Sequence, residues 1–246
     1  MNYLSVFGEY LIFSLKFFIN IPKIFKRRNE IVVELYKIGV SSIPLIMITS
    51  AFTGLVSSLQ ALYQTRGYIP KDFIGVMIAK ATMIELAPVL SGLVISGKAG
   101  ASIAAEIGGM KITEQIEALE SMQISSYNFV FFPKIFAVII MMPVFTFLAN
   151  FIAVISAYVF SVYKYSITFH TFFSNMKNFF LPMDFWSGII KSVFFGFFIG
   201  TISAFSGYKT QNSTEGVGKA TTNAVVYSSI SVLIMDFIVA GFIFGK

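Results

Sequence analysis

Two stretches of the chain, Ile38 to Thr65 and Ile135 to Tyr163, contain no charged residue. A helix of about 20 apolar residues crosses the ~30 Å hydrocarbon core of a bilayer. Inside that core a backbone must satisfy its own N–H and C=O groups, which a helix does. Three further runs are almost as apolar. Residues 73–97 contain only Lys80 and Glu85 as charges, 185–208 only Lys191, and 223–244 only Asp236. Of the 246 residues 56% are hydrophobic and 12% charged, too little polar surface for a soluble domain of this size. The expected fold is an all-α membrane protein forming one domain over 1–246. Its membrane spans are expected at 38–65, 73–97, 135–163, 185–208 and 223–244.

The segments outside these runs set the orientation. Residues 1–28 read as an interfacial helix. Ser5, Glu9, Lys16 and Asn20 recur near a 3.6 period, and Leu4, Phe7, Leu11, Leu15 and Phe18 fill the opposite side, the pattern of a helix lying in the headgroup plane. Lys23, Lys26, Arg27 and Arg28 mark its end as cytoplasmic. Residues 164–184 read as a short helix at the far interface. With the N-terminus inside, the inner segments hold 11 Lys and Arg (16, 23, 26, 27, 28, 37, 98, 111, 134, 209 and 219) and the outer segments 5 (66, 71, 164, 177 and 246). That bias predicts an N-in, C-out, multi-pass topology. The first residues lack the basic region and small-residue cleavage site of a secretory signal.

Composition also excludes chemistry. The chain has no cysteine and a single histidine, His170, so disulfides and thiolate catalysis are ruled out and no metal site is expected. The net charge of +6 suits anionic lipid headgroups. No basic stripe is long enough to follow a phosphate backbone, so nucleic acid is not an expected partner. Residues 92–99, Gly-Leu-Val-Ile-Ser-Gly-Lys-Ala, approach a phosphate-binding loop but place Ala99 where a hydroxyl would hold magnesium, and they follow an apolar helix instead of a strand. The chain is therefore expected to bind no cofactor of its own. Energy must come from a partner or from a gradient.

Small residues recur every four positions at Gly92, Ser96, Gly100, Ala104 and Gly108, and one strip over at Gly97, Ala101, Ala105 and Gly109. Such strips let another backbone approach closely, and over 97–109 they predict a protein–protein contact at the cytoplasmic face. Gly188, Ser192, Gly196, Gly200 and Ala204 repeat the device. The charges inside the spans, Lys80, Glu85, Lys191 and Asp236, are expected to pair, because an isolated charge in a bilayer is costly. The nearest partners in sequence are Lys80 for Glu85 and Asp184 for Lys191. Glu106, Glu114, Glu117 and Glu120 follow the glycine-rich stretch and predict an acidic docking helix.

The run from Glu85 to Leu119 resembles the signature of MlaE-type permeases. It contains Glu85-Leu86-Ala87-Pro88, the glycine-rich bend Gly97-Lys98-Ala99-Gly100, the box Ala105-Glu106-Ile107-Gly108 and the helix Thr113-Glu114-Gln115-Ile116. A second block, with Ile190-Lys191-Ser192, Ser206-Gly207-Tyr208, Gly216 to Thr222 and Asp236-Phe237, agrees in order and spacing. The resemblance extends from about Ile38 to the C-terminus.

The resemblance implies the permease subunit of an ABC transporter that moves phospholipid between inner and outer membranes and so maintains outer-membrane lipid asymmetry. The chain would not itself be an enzyme. ATP and Mg would be used by a separate cytoplasmic ABC ATPase. Further partners implied are a second permease copy forming a homodimer, a periplasmic MCE-domain protein and a STAS-domain protein, all at the bacterial cell inner membrane. Residues 104–119 would be a coupling helix, with Glu106, Gly108, Glu114 and Glu117 at the ATPase contact. Tyr68, Glu85 and Leu86 would line a lipid cavity. Many members of the resembled family carry Arg directly before the glutamate; here that position is Ile84, and Lys80 is the expected substitute cation. The alternatives are an ion-gradient-driven secondary transporter using Glu85 and Asp236, and an ABC permease for another apolar solute such as a sterol. A lipid-modifying enzyme would need a nucleophile with its base, or a metal cluster, and neither is visible.

Overall fold

The computed structural model describes residues 3–22, 27–64, 70 and 73–245. The described residues contain helices and no strand. Helix α1 covers Tyr3–Asn20, α2 Arg28–Gln64, α3 Ile74–Ile112, α4 Gln115–Ser121, α5 Tyr127–Tyr165, α6 Phe169–Phe179, α7 Pro182–Tyr208 and α8 Thr214–Phe244. Five of them, α2, α3, α5, α7 and α8, are long and apolar enough to cross a membrane, so the all-α membrane fold stands.

These five helices run past the apolar stretches read from sequence. The α2 helix starts at Arg28, ten residues before the charge-free stretch begins at Ile38, because Glu34 and Lys37 stay helical and find ion-pair partners. Pro44 and Pro143 sit inside α2 and α5 without ending them. In a bilayer the freed carbonyls have no water to unravel toward.

The contacts divide the chain into two units, each using segments of the five long helices. Unit 1 comprises 1–42, 92–141 and 193–235; unit 2 comprises 43–91, 142–192 and 236–246.

In unit 1, α1 docks through aromatic rings. Phe13 and Phe17 are buried. Phe13 packs 5.1 Å from the ring of Tyr127, 5.5 Å from Phe131 and 5.6 Å from Phe205. Tyr127 donates its hydroxyl to the Phe13 carbonyl at 2.9 Å, and Tyr10 pairs with Thr201 at 2.9 Å. Glu9 pairs with Lys209. The apolar side read from sequence, Phe7, Leu11, Leu15 and Phe18, is exposed within the chain, while Phe13 and Phe17 make the protein contact. Periodicity marks an apolar stripe but does not say which of its residues another helix covers.

Unit 1 also uses the first small-residue strip internally. A Cβ at Gly92 would meet Val232 and Phe195, one at Gly100 would meet Ser203, and one at Gly108 would meet Thr210 and Val217. The contact expected for 97–109 is thus already made within the unit on this strip. On the second strip, Gly97 and Gly109 have nothing within 4 Å.

In unit 2, the amphipathic α6 is capped by Thr168, whose hydroxyl accepts from the Thr171 N–H at 3.3 Å. It buries Phe172 against Leu62, Ile74, Ile78, Val154 and Ala157. Ser58 and Ser161 share a buried hydrogen bond at 2.8 Å. At Gly54 the backbone of Ala153 comes so close that any Cβ would collide with its carbonyl. Gly54→Val should therefore destabilise the protein by about 1–3 kcal/mol or prevent folding, while Gly97→Ala leaves it unchanged; thermal unfolding in detergent checks both.

Candidate functional site

Lys191, on α7, is 0% exposed within unit 2. An ammonium away from water is sustained only by close partners. Its Nζ lies 2.6 Å from Glu85 Oε1, 2.9 Å from Asp236 Oδ1, and donates to the Ile84 carbonyl at 3.2 Å. The Asp236 contact is an ion pair without hydrogen-bond alignment. Two carboxylates thus share one lysine. The Glu85 side chain is the open member of the group, 43% exposed.

The sequence builds this site through the backbone of α3. In an α-helix the N–H of residue 88 would bond the carbonyl of residue 84, but Pro88 has no N–H. Over Thr82–Leu86 the helix widens into a π turn, closed by the Ala87 N–H on the Thr82 carbonyl. Such single π turns recur at functional sites. Lys191 reaches in to take the Ile84 carbonyl. Gly188, three residues before Lys191 and on the same helix face, lies where the Met83 carbonyl leaves no room for a Cβ. Removing that side chain is what lets α7 deliver its lysine to α3.

The partners differ from those nearest in sequence. Lys80 pairs with Asp184 at 3.1 Å, and Lys191 takes Glu85 and Asp236. Lys80 is therefore not the cation for Glu85. Residues five apart do not share a helix face as residues three or four apart do, and Lys191 and Asp184, seven residues apart, lie about 10 Å apart along the axis. Pairing across helices wins because it is shorter. Leu86 lines a cavity with Thr49, Thr53, Thr82 and Ser91 of about 10 Å³, room for one water and not for an acyl chain. Tyr68 lies outside the described residues.

The acidic segment belongs to unit 1, and it is not one continuous helix over 104–119. The α3 helix ends at Ile112, and Thr113 turns its hydroxyl back to the Gly109 carbonyl at 2.9 Å. Glu114 then adopts φ 56, in the left-handed region, which costs a residue with a Cβ about 1–2 kcal/mol. A second left-handed residue, Gln123 at φ 60, follows α4. Between these corners α4 is anchored by the buried Ile116, and Glu120 accepts from Ser126 at 2.7 Å. Glu114 and Glu117 are exposed, Gly108 is buried, and Glu106 turns inward to Lys134 at 2.7 Å and to Lys37. Of the four residues expected at a partner contact, two present themselves and two are used inside the unit. Lys134 is the residue the sequence reading passed over. Its only signal is its position, directly after Pro133 at the entrance to a charge-free span.

The chain matches the family described as Permease MlaE over residues 31–242. It is 37% identical to a probable ABC transporter permease protein of Rickettsia bellii over 96% of this chain and 92% of that one. It is 33% identical to the intermembrane phospholipid transport system permease protein MlaE of Haemophilus influenzae, over 91% and 86%. A probable ABC transporter permease protein of Synechocystis is 32% identical over 89% and 82%.

Glu85, Lys191 and Asp236 all fall within the matched region. Lys191→Met would leave two carboxylates facing each other without a cation, and should cost about 3–5 kcal/mol. The triple variant Glu85→Gln, Lys191→Met, Asp236→Asn should recover most of that loss. Thermal unfolding of the three proteins in detergent checks the expectation.

Proposed function

The chain belongs to the MlaE permease family, and from that premise we propose that it is the membrane subunit of an ABC transporter that carries phospholipid between the inner and outer membranes. The Haemophilus relative is a permease of an intermembrane phospholipid transport system, and the Rickettsia and Synechocystis relatives are probable ABC transporter permeases. In this reading ATP is hydrolysed by a separate cytoplasmic ATPase, with Mg, and the permease supplies the lipid path and the grip. The protein sits in the inner membrane with its N-terminus cytoplasmic. A second copy of the chain, a periplasmic MCE-domain protein and a STAS-domain protein complete the assembly.

The observation that carries this reading is the elbow at Thr113–Glu114 and the helix that follows it. A seven-residue helix, α4 is held by a single buried residue, Ile116, between two left-handed corners, and it offers Glu114 and Glu117 outward. Strained backbone of this kind persists only where the surroundings fix it, and it gathers at functional sites. A basic groove on the ATPase would grip those carboxylates. Because α3 carries both the elbow at its end and Glu85 and Leu86 near its start, a push on α4 acts on the helix that bears the lipid-facing residues. The cavity that Leu86 lines inside the chain admits one water. An acyl chain would therefore be held between two permease copies, with the half-exposed Glu85 at its edge. Transport follows when ATP-driven closure changes the affinity of that cavity for lipid, since only a difference in binding between two states moves a ligand.

The test is reconstitution with an ABC ATPase from the same organism. Lipid should stimulate ATP hydrolysis, and the double variant Glu114→Lys, Glu117→Lys should lose co-purification with the ATPase and lower transfer about tenfold or more. Unchanged co-purification and transfer in that variant would overturn the role of α4. Transport by the permease alone, driven by a proton or sodium gradient, would overturn the ABC reading. Co-purified lipids identified by mass spectrometry decide between phospholipid and sterol.

A further inference from the structure

We infer that Lys134 is a positioning residue for transport: it clamps the end of α3 to the start of α2, so that force on the elbow moves three helices as one piece. The inference rests on the transport reading above and assigns a role to a residue that touches neither lipid nor nucleotide.

Lys134 is 4% exposed, at the start of α5 in unit 1. Its ammonium lies 2.5 Å from Glu34 Oε1 on α2 and 2.7 Å from Glu106 Oε1 on α3. Both are charge-assisted hydrogen bonds, the strong kind. The other oxygen of Glu106 takes Lys37, one turn after Glu34 on α2. The four side chains sum to zero charge, with Lys37 and Lys134 against Glu34 and Glu106. A second tie runs between the same two helices: Lys98 of α3 donates to the Ser41 carbonyl of α2. The start of α2 is thus fastened to the last part of α3 at two heights, and only Lys134 brings α5 into the same knot.

The position of the knot gives it consequence. Glu106 lies two turns before the elbow at Thr113–Glu114. A displacement applied to α4 reaches the end of α3 through that elbow. With the clamp closed, the end of α3 cannot swing without carrying the starts of α2 and α5. With Lys134 removed, Glu34 and Glu106 lose their shared cation and repel. The same push is then absorbed where α3 ends. The ATPase would bind and hydrolyse, but less of each stroke would reach the spans.

Lys134→Gln and Lys134→Arg, each assembled with the ATPase, test the clamp. In Lys134→Gln, co-purification and basal hydrolysis should hold within about twofold while lipid transferred per ATP falls about fivefold or more. Lys134→Arg, which keeps the charge, should restore the ratio. An unchanged ratio in Lys134→Gln overturns the inference, as does a fall that Lys134→Arg fails to repair. A second measurement needs no variant of the clamp. The chain has no cysteine, so spin labels can be placed through cysteines at Tyr36 and Met122, both exposed and both in unit 1. The wild-type complex, assembled with labelled chains diluted in unlabelled ones so that pairs within one chain dominate, should give one narrow distance, the same without nucleotide and with nucleotide trapped. A distance that shifts or broadens on trapping overturns the clamp. If the wild-type permease binds no ATPase, it is the transport reading that fails. The clamp is then judged on the permease alone, where equal label distributions with and without Lys134 overturn it.

Discussion

Hydrocarbon cannot solvate a charge, and that constraint organises this protein. A lysine buried among helices must collect carboxylates or lose its proton, and the cost of leaving it alone exceeds the worth of most packing contacts. Lys191 and Lys134 each meet it in the same way. Each is nearly or fully buried, each draws acids from two other helices, and each therefore dictates which helices meet. In a bilayer apolar surface gives helices little reason to prefer one another. The two lysines supply a reason within their units, and at Lys191 Gly188 supplies the room.

The backbone is adjusted to these meetings instead of the reverse. Pro88 breaks the regular bonding of α3 and a π turn precedes it, so a carbonyl is presented to Lys191 where a plain helix would have kept its carbonyls to itself. Gly188 removes the side chain that would hold α7 away from Met83. Tyr127–Phe131, just before Lys134 on the same helix, is a second π turn beside one of the buried lysine clusters. A π turn rotates the residues after it relative to those before it. In a helix committed to the membrane that is one of the few ways to aim a side chain without breaking the hydrogen-bond ladder.

Much of the fold was legible in the sequence because a membrane span is a composition before it is a shape. The charge-free runs at 38–65 and 135–163 reveal themselves, and the motif from Glu85 to Leu119 carries the family. What was not legible is pairing across helices. Glu85 was matched to Lys80 on sequence distance, while the helices bring Lys191; the choice depends on which faces meet, and periodicity within one helix is silent on that. The same limit hid the docking of α1. Phe13 and Phe17 are no more apolar than Phe7 and Phe18, yet one pair is covered by aromatic rings and the other is exposed. The break at Glu114 escaped notice for a different reason. Glutamate is a good helix former, and only Thr113, folding its hydroxyl back, hints that the helix stops.

The two lysine clusters differ in one respect that bears on what each can do. Around Lys134 the charges cancel, two against two, and the whole group is tied by short contacts. A balanced, satisfied network resists change: no approaching ion gains much from it, and opening it leaves the buried Lys134 without its partners. Around Lys191 one ammonium faces two carboxylates, and Glu85 is the half-exposed member. An excess carboxylate in a low-dielectric setting attracts a cation and repels an anion. The first arrangement suits a joint that must keep its geometry while force passes through it. The second suits a surface whose state changes with what is next to it. A transporter needs both, and in this chain the difference between them comes down to whether a second lysine accompanies the first.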